Sequence, residues 1–487
     1  MNDSSDALAM KERPRTGTEG FSMRSFWLIL AAVIIADVLD LMDSTLTMIA
    51  APTIASGLGG GELLIKWLGS SYSLALGVLL VIGGRLGDRY GHRRTFLVGI
   101  GGFTAASIVC GLAPTPGIII AGRLLQGAFG ALLIPQGLAI MTSVFPRELF
   151  GKAFSVFGPA LGLASVGGPI LGAFIVGADI MGLGWRPMFL INIVLGTGGF
   201  FLAWRALPRL PRDASVALDG LGSALLAAAM FCLIFGLIEG PTGGWQPPSI
   251  VAAAAGALFF AAFAVRQGRA RNPLIKASLF RNRGFTAGMA LGLAFFSVVT
   301  GLGYVLSLYF QQGLGRSPVQ TALGGSGPLA VGIVVASFVA SPLIGRLGRR
   351  LVLAGLVLTF AGVVALGAVI GSLGPGGGTW PLVAPIFVVG LGMGTCFGTL
   401  FDTALGDVDR EEAGSASGSL SAVQQLAGSI GSAAITSIWF GRGGGSPAAA
   451  MTTCLAVVAA VTLGCCALVG LLPRRGPARA EAAESTD

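Results

Sequence analysis

Charge is what this sequence has least of. Only 11% of its 487 residues are Asp, Glu, Lys or Arg, against about 25% in an average soluble protein, so too few charges exist to build a surface that faces water. Histidine occurs once, at His92, which leaves no histidine cluster for a metal or for hydrolytic chemistry. The six cysteines, at 110, 232, 396, 454, 465 and 466, lie in apolar stretches without a Cys-x-x-Cys pair and read as small core residues. No Gly-x4-Gly-Lys-Ser/Thr string is present, which removes direct use of ATP. Together these absences exclude a soluble enzyme and a nucleic-acid binder, and no metal or cofactor is expected.

What is abundant points one way. Hydrophobic residues make up 54% of the chain and glycine supplies 78 positions, and the mean hydropathy is +0.82 over the full length rather than in one anchor. An all-α polytopic membrane protein follows. A helix needs about 20 mostly apolar residues to cross the hydrocarbon layer. Charge-free runs of that order recur, among them Thr95 to Gly122, Leu124 to Pro146 and Ala153 to Ala178, while Leu351 to Phe401 holds two spans folded at Gly374-Pro375-Gly376-Gly377-Gly378. The spacing predicts fourteen helices, near 26–50, 64–85, 95–113, 116–144, 152–177, 186–206, 217–239, 249–267, 284–312, 320–345, 350–371, 381–402, 414–440 and 450–472.

The formal charge of +9 is a topology signal in such a chain. With the N-terminus inside, alternate segments collect 26 of the 31 Lys and Arg, and the outer segments hold only Lys66, Arg186, Arg316 and Arg442. Both termini are therefore expected in the cytoplasm, in a cell (inner) membrane. Tails are read at 1–25 and 473–487, with a first six-helix bundle over 26–206, an inserted pair over 217–267 and a second six-helix bundle over 284–472. An internal echo supports the halves: Gly84-Arg85-Leu86-Gly87 closes the second span, and Gly345-Arg346-Leu347-Gly348 closes the tenth. Halves related by a pseudo-two-fold along the membrane normal place a substrate site between them near the midplane.

Polar residues inside spans carry the chemistry. Asp37, Asp40 and Asp43 stand at i, i+3 and i+6 of the first helix, within an arc of about 120° and about 9 Å of rise. Three carboxylates cannot face lipid. They must face a wet cavity, pair with a cation such as Arg123, or be protonated, and Asp43 with Asp37 and Asp40 is expected to alternate between binding a proton and attracting the cargo. Arg123 lies within the fourth span, where a charge costs about 2.5–3.5 kcal/mol on insertion scales, so it faces an interior cavity unless it snorkels outward. Asp402 near the end of the twelfth span is a further acidic candidate, and Glu239 ends the seventh. Gln311, Gln312, Gln424 and Gln425 could line the second half of a cavity or cement helices. The turn Gly84 to Arg94 combines Gly84, Gly87 and Gly91 with Asp88, Arg89, Arg93 and Arg94. On the fifth span, Gly158-Pro159, Gly162, Gly167, Gly168, Pro169 and Gly172 let helices approach closely and bend.

These strings together resemble the major facilitator superfamily, and its fourteen-span drug:proton antiporter branch in particular. The turn after the second span matches the family's signature loop. The resemblance implies that Asp88 and the arginines form a charge clasp that is broken and remade as the halves rock. Arg123-Leu124-Leu125-Gln126-Gly127-Ala128-Phe129-Gly130 resembles the fourth-helix string in which the arginine is implicated in proton transfer. Gly168-Pro169 and Gly172 match the antiporter string, with Ala164 and Ala173 where glycine is usual. Met42-Asp43-Ser44-Thr45 followed by Ala50-Ala51-Pro52 is similar to the branch's first-helix signature, with Asp37 and Asp40 extra to it. Trp185 to Asn192 enters the sixth helix as in that branch. The resemblance implies a major facilitator fold of two six-helix bundles plus two inserted helices, and a proton-coupled antiporter exporting lipophilic, cationic drugs by alternating access. An exporter of a lipid or natural product, with neutral or anionic cargo, is the alternative. The expected partners are a small-molecule substrate, protons and membrane lipids, for a monomer.

Overall fold

The structure, a computed structural model, describes residues 23–472 apart from 146, 211, 213–218, 244, 271–272, 276, 374–377, 407, 409–412 and 442–445. The two tails lie outside the described residues, save for 23–25. Among the described residues every regular element is helical. The first six are α1 (Met23–Leu58), α2 (Gly61–Tyr90), α3 (His92–Gly111), α4 (Pro116–Val144), α5 (Arg147–Ala178) and α6 (Pro187–Ala206). A pair follows, α7 (Gly220–Gly243) and α8 (Pro247–Arg269). After the short α9 (Ala277–Arg281) come α10 (Arg283–Leu308), α11 (Pro318–Thr321), α12 (Gly327–Ala340), α13 (Ile344–Leu347) and α14 (Arg349–Leu373). The last three are α15 (Trp380–Leu405), α16 (Ala413–Gly441) and α17 (Pro447–Leu468). Two π-helical turns, Tyr309–Gly313 and Ala322–Ser326, prolong α10 and join α11 to α12.

Among the described residues twelve helical stretches are long and apolar enough to cross a membrane, two fewer than the fourteen expected. The shortfall falls on α5 and α16. Within α5 the apolar stretch that is fully described is only Gly167–Ala178. The α16 sequence is rich in Ser, Gly and Gln, and it packs between α2 and α10 inside the bundle, where polar side chains meet protein rather than lipid.

Local chemistry sets the helix ends. Thr115, Asn282, Ser317 and Ser446 each accept a backbone N–H in the first turn, and proline follows directly at 116, 318 and 447. That pairing satisfies an orphan donor and places the residue without an N–H where none is needed. The two Gly-Arg-Leu-Gly copies end differently. In the second copy Gly348 turns the chain at φ 48°, whereas in the first α2 runs on through Asp88-Arg89-Tyr90 and turns at Gly91 with φ 99°. Both turns need a residue that adopts positive φ without a Cβ clash.

Within the first six helices α4 packs on α2 and α3, and α1 packs on α5 and α6. In the later group α15 packs on α12 and α14, and α10 packs on α16. The equivalent pairs use one device. Gly83 and Gly127 bring α2 and α4 into backbone contact, and Gly332, Gly390 and Gly394 do the same for α12 and α15. Hydrogen bonds between the two groups, among the described residues, lie toward the ends remote from the Gly84–Arg94 turn. Ser307 Oγ donates to the Met48 carbonyl at 3.2 Å and Gln311 Nε2 to the Ile49 carbonyl at 2.9 Å. Ser429 Oγ donates to the Ser70 carbonyl at 2.8 Å, and Ser432 Oγ to the Gly69 carbonyl at 3.0 Å. The helix pair α7–α8 lies outside this seam, with α7 against both α2 and α16.

A Cβ at Gly83 has no room beside the Ala131 carbonyl, while a Cβ at Gly371 meets nothing within 4 Å. Gly83→Ala is therefore expected to destabilise the detergent-purified protein by about 1–3 kcal/mol in thermal unfolding. Gly371→Ala should leave the transition unchanged or slightly raised, and equal effects of the two would contradict glycine-mediated packing of α2 on α4.

Candidate functional site

Four helices converge on Asp43. The side chain is 0% exposed, and its Oδ2 forms an ion pair with Arg123 Nη1 from α4. Its Oδ1 accepts from Asn192 Nδ2 of α6 at 2.7 Å and from Gln126 Nε2 of α4 at 3.0 Å. Both amides also donate to Ser107 Oγ of α3, at 3.2 and 2.8 Å. Arg123 in turn donates to Gln126 Oε1 at 2.9 Å and stacks over the Tyr72 ring at 4.4 Å. A carboxylate removed from water is stable only with this many donors around it. Arg123 does not snorkel, since it is only 1% exposed and points into the protein.

The other two aspartates descend from this anchor toward the Gly84–Arg94 turn, about 4.5 Å of rise apart. Asp40 is 8% exposed and accepts the Tyr72 hydroxyl of α2. Gly130 makes that meeting possible: a Cβ there would stand 2.9 Å from Asp40 Oδ1 and 3.1 Å from the Tyr72 oxygen. Asp37 is partly exposed, and its Oδ1 has no hydrogen-bond partner among the described residues. Three acids of one helix face thus stand in three environments, one pinned, one singly bonded and one with a buried oxygen left without a partner.

The fifth-helix glycines support the same segment. Gly168 lies against Met42 and Thr45, and Gly172 against Leu46, so α5 rests on the turns of α1 that carry Asp43. Pro169 is buried beside them. The loop residues form a separate locus. Asp88 lies 3.6 Å from His92, Arg89 stacks on Tyr90, Arg93 donates to the Trp204 carbonyl and Arg94 is exposed. His92 Nδ1 meets Gln136 Oε1 at 2.8 Å, and Gln136 Nε2 donates to the Gly83 carbonyl at 2.8 Å, which fastens the turn to α4. Gly84 faces Pro135 of the same helix. Asp402 is partly exposed near the end of α15 and takes no part in the Asp43 network. Gln311 crosses to α1 as described, whereas Gln312 is exposed.

Sequence reasoning missed Asn192, Ser107, Tyr72 and the carboxylate role of Gln126. Each is a single polar residue in an apolar span, and only the requirement that buried polar groups find partners flags it. Lys66, counted among the outer charges, lies inside α2 and is 1% exposed.

The sequence profile described as Major Facilitator Superfamily matches residues 33–432. The chain is 42% identical over 420 residues to a probable actinorhodin transporter of Streptomyces coelicolor, covering 85% of this chain and 72% of that protein. It is 32% identical to the tetracenomycin C resistance and export protein of Streptomyces glaucescens, over 84% of this chain and 75% of the relative. A puromycin resistance protein of Streptomyces alboniger is likewise 32% identical, over 85% and 81%. Among solved structures, a bacterial homologue of the human lysosomal transporter Spinster, in an inward-facing and occupied conformation, superposes with a TM-score of 0.67 at 14% identity, covering 93% of this chain and 97% of that one.

Arg123→Met leaves Asp43 charged and uncompensated, and it is expected to destabilise the protein by about 3–5 kcal/mol. Adding Asp43→Asn should restore most of that loss. Thermal unfolding in detergent reads both, and an Arg123→Met protein as stable as the parent would contradict the geometry.

Proposed function

The chain belongs to the Major Facilitator Superfamily, as a multi-pass membrane transporter rather than an enzyme, and from that premise we propose a proton-coupled exporter of lipophilic natural products or drugs. The finer placement is the drug:proton antiporter branch, with α5 and α16 completing two six-helix halves. The relatives named for actinorhodin, tetracenomycin C and puromycin support an antibiotic-like cargo.

The graded environment of the three aspartates carries the mechanism. Asp43, expected from the sequence to exchange protons with the other two, is in this reading the fixed anion, because Arg123 and two amides already hold it and it keeps the guanidinium in the interior. Asp40 and Asp37 are the exchangeable acids, because neither has a cation bonded to it: Asp40 holds the Tyr72 hydroxyl, and the buried Oδ1 of Asp37 has no partner among the described residues. The basic loops put the Gly84–Arg94 end in the cytoplasm. The seam that is hydrogen-bonded at the remote end then corresponds to a gate closed to the outside, an inward-facing arrangement. In that state Asp37 and Asp40 release protons to the cytoplasm and take up cargo. After the halves rock, protons from outside displace it. Occupancy by one excludes the other, which makes exchange obligatory. The membrane potential supplies about 2.3 kcal/mol per charge per 100 mV for each net charge moved. Gly168, Pro169 and Gly172 let α1 tilt against α5 during the rocking, and the Gly84–Arg94 turn with Asp88, Arg89, Gly91, Arg93 and Arg94 remakes its clasp in the opposite state. Asp402 faces the cargo from the second half.

An exporter of a lipid or natural product, with neutral or anionic cargo, is the second reading, and the relatives' names support the natural-product part of it. Proteoliposomes separate the two. Inward uptake of ethidium and of puromycin, each with and without a pH gradient, should depend on the gradient. Asp40→Asn should lower gradient-driven uptake at least about tenfold, the effect of roughly 1.4 kcal/mol. Uptake indifferent to the gradient would overturn proton coupling, and cation uptake that survives Asp37→Asn with Asp40→Asn would favour the second reading.

A further inference from the structure

The helix pair α7–α8 has no part in the coupling site, yet polar anchors tie it to the first half at both ends. At the remote end, buried Lys66 of α2 donates to the Ile238 carbonyl of α7 at 3.4 Å, with its ammonium 5.6 Å from the Phe440 ring of α16. Trp67 of α2 stacks on Phe231 and Phe235 of α7, with centroids 5.9 and 6.4 Å apart. At the loop end, Arg85 of α2 donates to the Pro273 and Leu274 carbonyls just after α8. Asp219 accepts Arg266 at 2.8 Å and the Gly222 N–H at 2.9 Å, which locks α7 to α8. By contrast, a single polar bond joins the pair to the second half among the described residues: Ser437 Oγ of α16 donates to the Leu237 carbonyl at 2.8 Å.

That carbonyl is open to an outside donor for a covalent reason. Four residues on stands Pro241, which has no N–H to close the helical bond. At membrane depth an unsatisfied carbonyl is costly, so Ser437 supplies the bond that Pro241 cannot. The apolar contact runs along the same seam, where Met230, Ile234 and Ile238 of α7 pack with Leu74 and Val78 of α2 and with Leu426 and Ala433 of α16.

We propose that α7–α8 moves as part of the first half and serves as a releasable latch on the outer gate, with the Ser437–Leu237 bond as its catch. Opening the gate parts α16 from α2. Since α7 follows α2, the catch breaks and the Leu237 carbonyl loses its donor, which favours the closed gate. The inference rests on the alternating-access part of the proposed function, but its test reads distances alone and needs neither cargo nor a proton gradient.

Spin labels at exposed Leu63, Val251 and Gly441 mark α2, α8 and α16, in a background with Cys232 and Cys466 replaced by Ser, in nanodiscs. The Leu63–Val251 pair should give one distance. The Val251–Gly441 and Leu63–Gly441 pairs should gain a longer distance together. Ser437→Ala should raise the long-distance fraction relative to the short by about three- to tenfold, the range of one net hydrogen bond. Pro241→Ala should do likewise by giving Leu237 a donor of its own. A Val251–Gly441 distance that stays fixed while Leu63–Val251 varies would assign the pair to the second half and overturn the proposal. So would distance distributions that neither substitution changes, because removal of a latch must populate the open form.

Discussion

Everything in this molecule is arranged around a carboxylate and a guanidinium buried together at membrane depth. Neither charge is tolerable there alone. Their pairing requires that α1 and α4 stay in register, that α3 and α6 lend Ser107 and Asn192, and that Gln126 bridge acid and base. Four of the first six helices are thereby fixed to one point. The close glycine contacts of α2 with α4 and of α5 with α1 bring the backbone near enough for such short polar side chains to reach.

The same constraint separates the roles of the three aspartates. The acid at the position of the branch's signature is the one most completely satisfied, and the two additional acids retain capacity for a partner. In the proposed mechanism this would link binding to conformation, since whatever occupies Asp40 also bears on the Tyr72 ring that covers Arg123. The contrast with the far seam is instructive. There the halves are joined by neutral serine and glutamine bonds to carbonyls, each of modest net strength and so able to break and reform.

Much of the fold was legible because the bilayer imposes length and hydropathy rules on each segment separately. The apolar runs and the turn that closes α2 could be read one segment at a time, whereas the two Gly-Arg-Leu-Gly strings, alike in sequence, end differently because α2 runs on to Gly91. So could the shared face of Asp37, Asp40 and Asp43, which depends only on helical pitch. Arg123 was a foreseeable partner because charges in spans need one. The choice of Asp43 over Asp40 as its partner was not foreseeable, since it depends on how far α4 slides along α1. Asn192, Ser107 and Tyr72 were invisible for a related reason: a lone polar residue in an apolar run acquires meaning only from three neighbours on other helices. Lys66 misled because a basic residue near a span end normally marks the surface, whereas here α2 begins earlier and the side chain is covered by α7 and α16. The polarity of α16 similarly blurs a span that lies against protein.

The division between anchor and exchange sites can be read without any cargo. Infrared absorption of protonated carboxyl groups, followed as the protein in nanodiscs passes from acidic to neutral solution, should show a change that shrinks in Asp37→Asn and in Asp40→Asn and is preserved in Asp43→Asn. A change that vanishes with Asp43→Asn and survives both other substitutions would contradict the account.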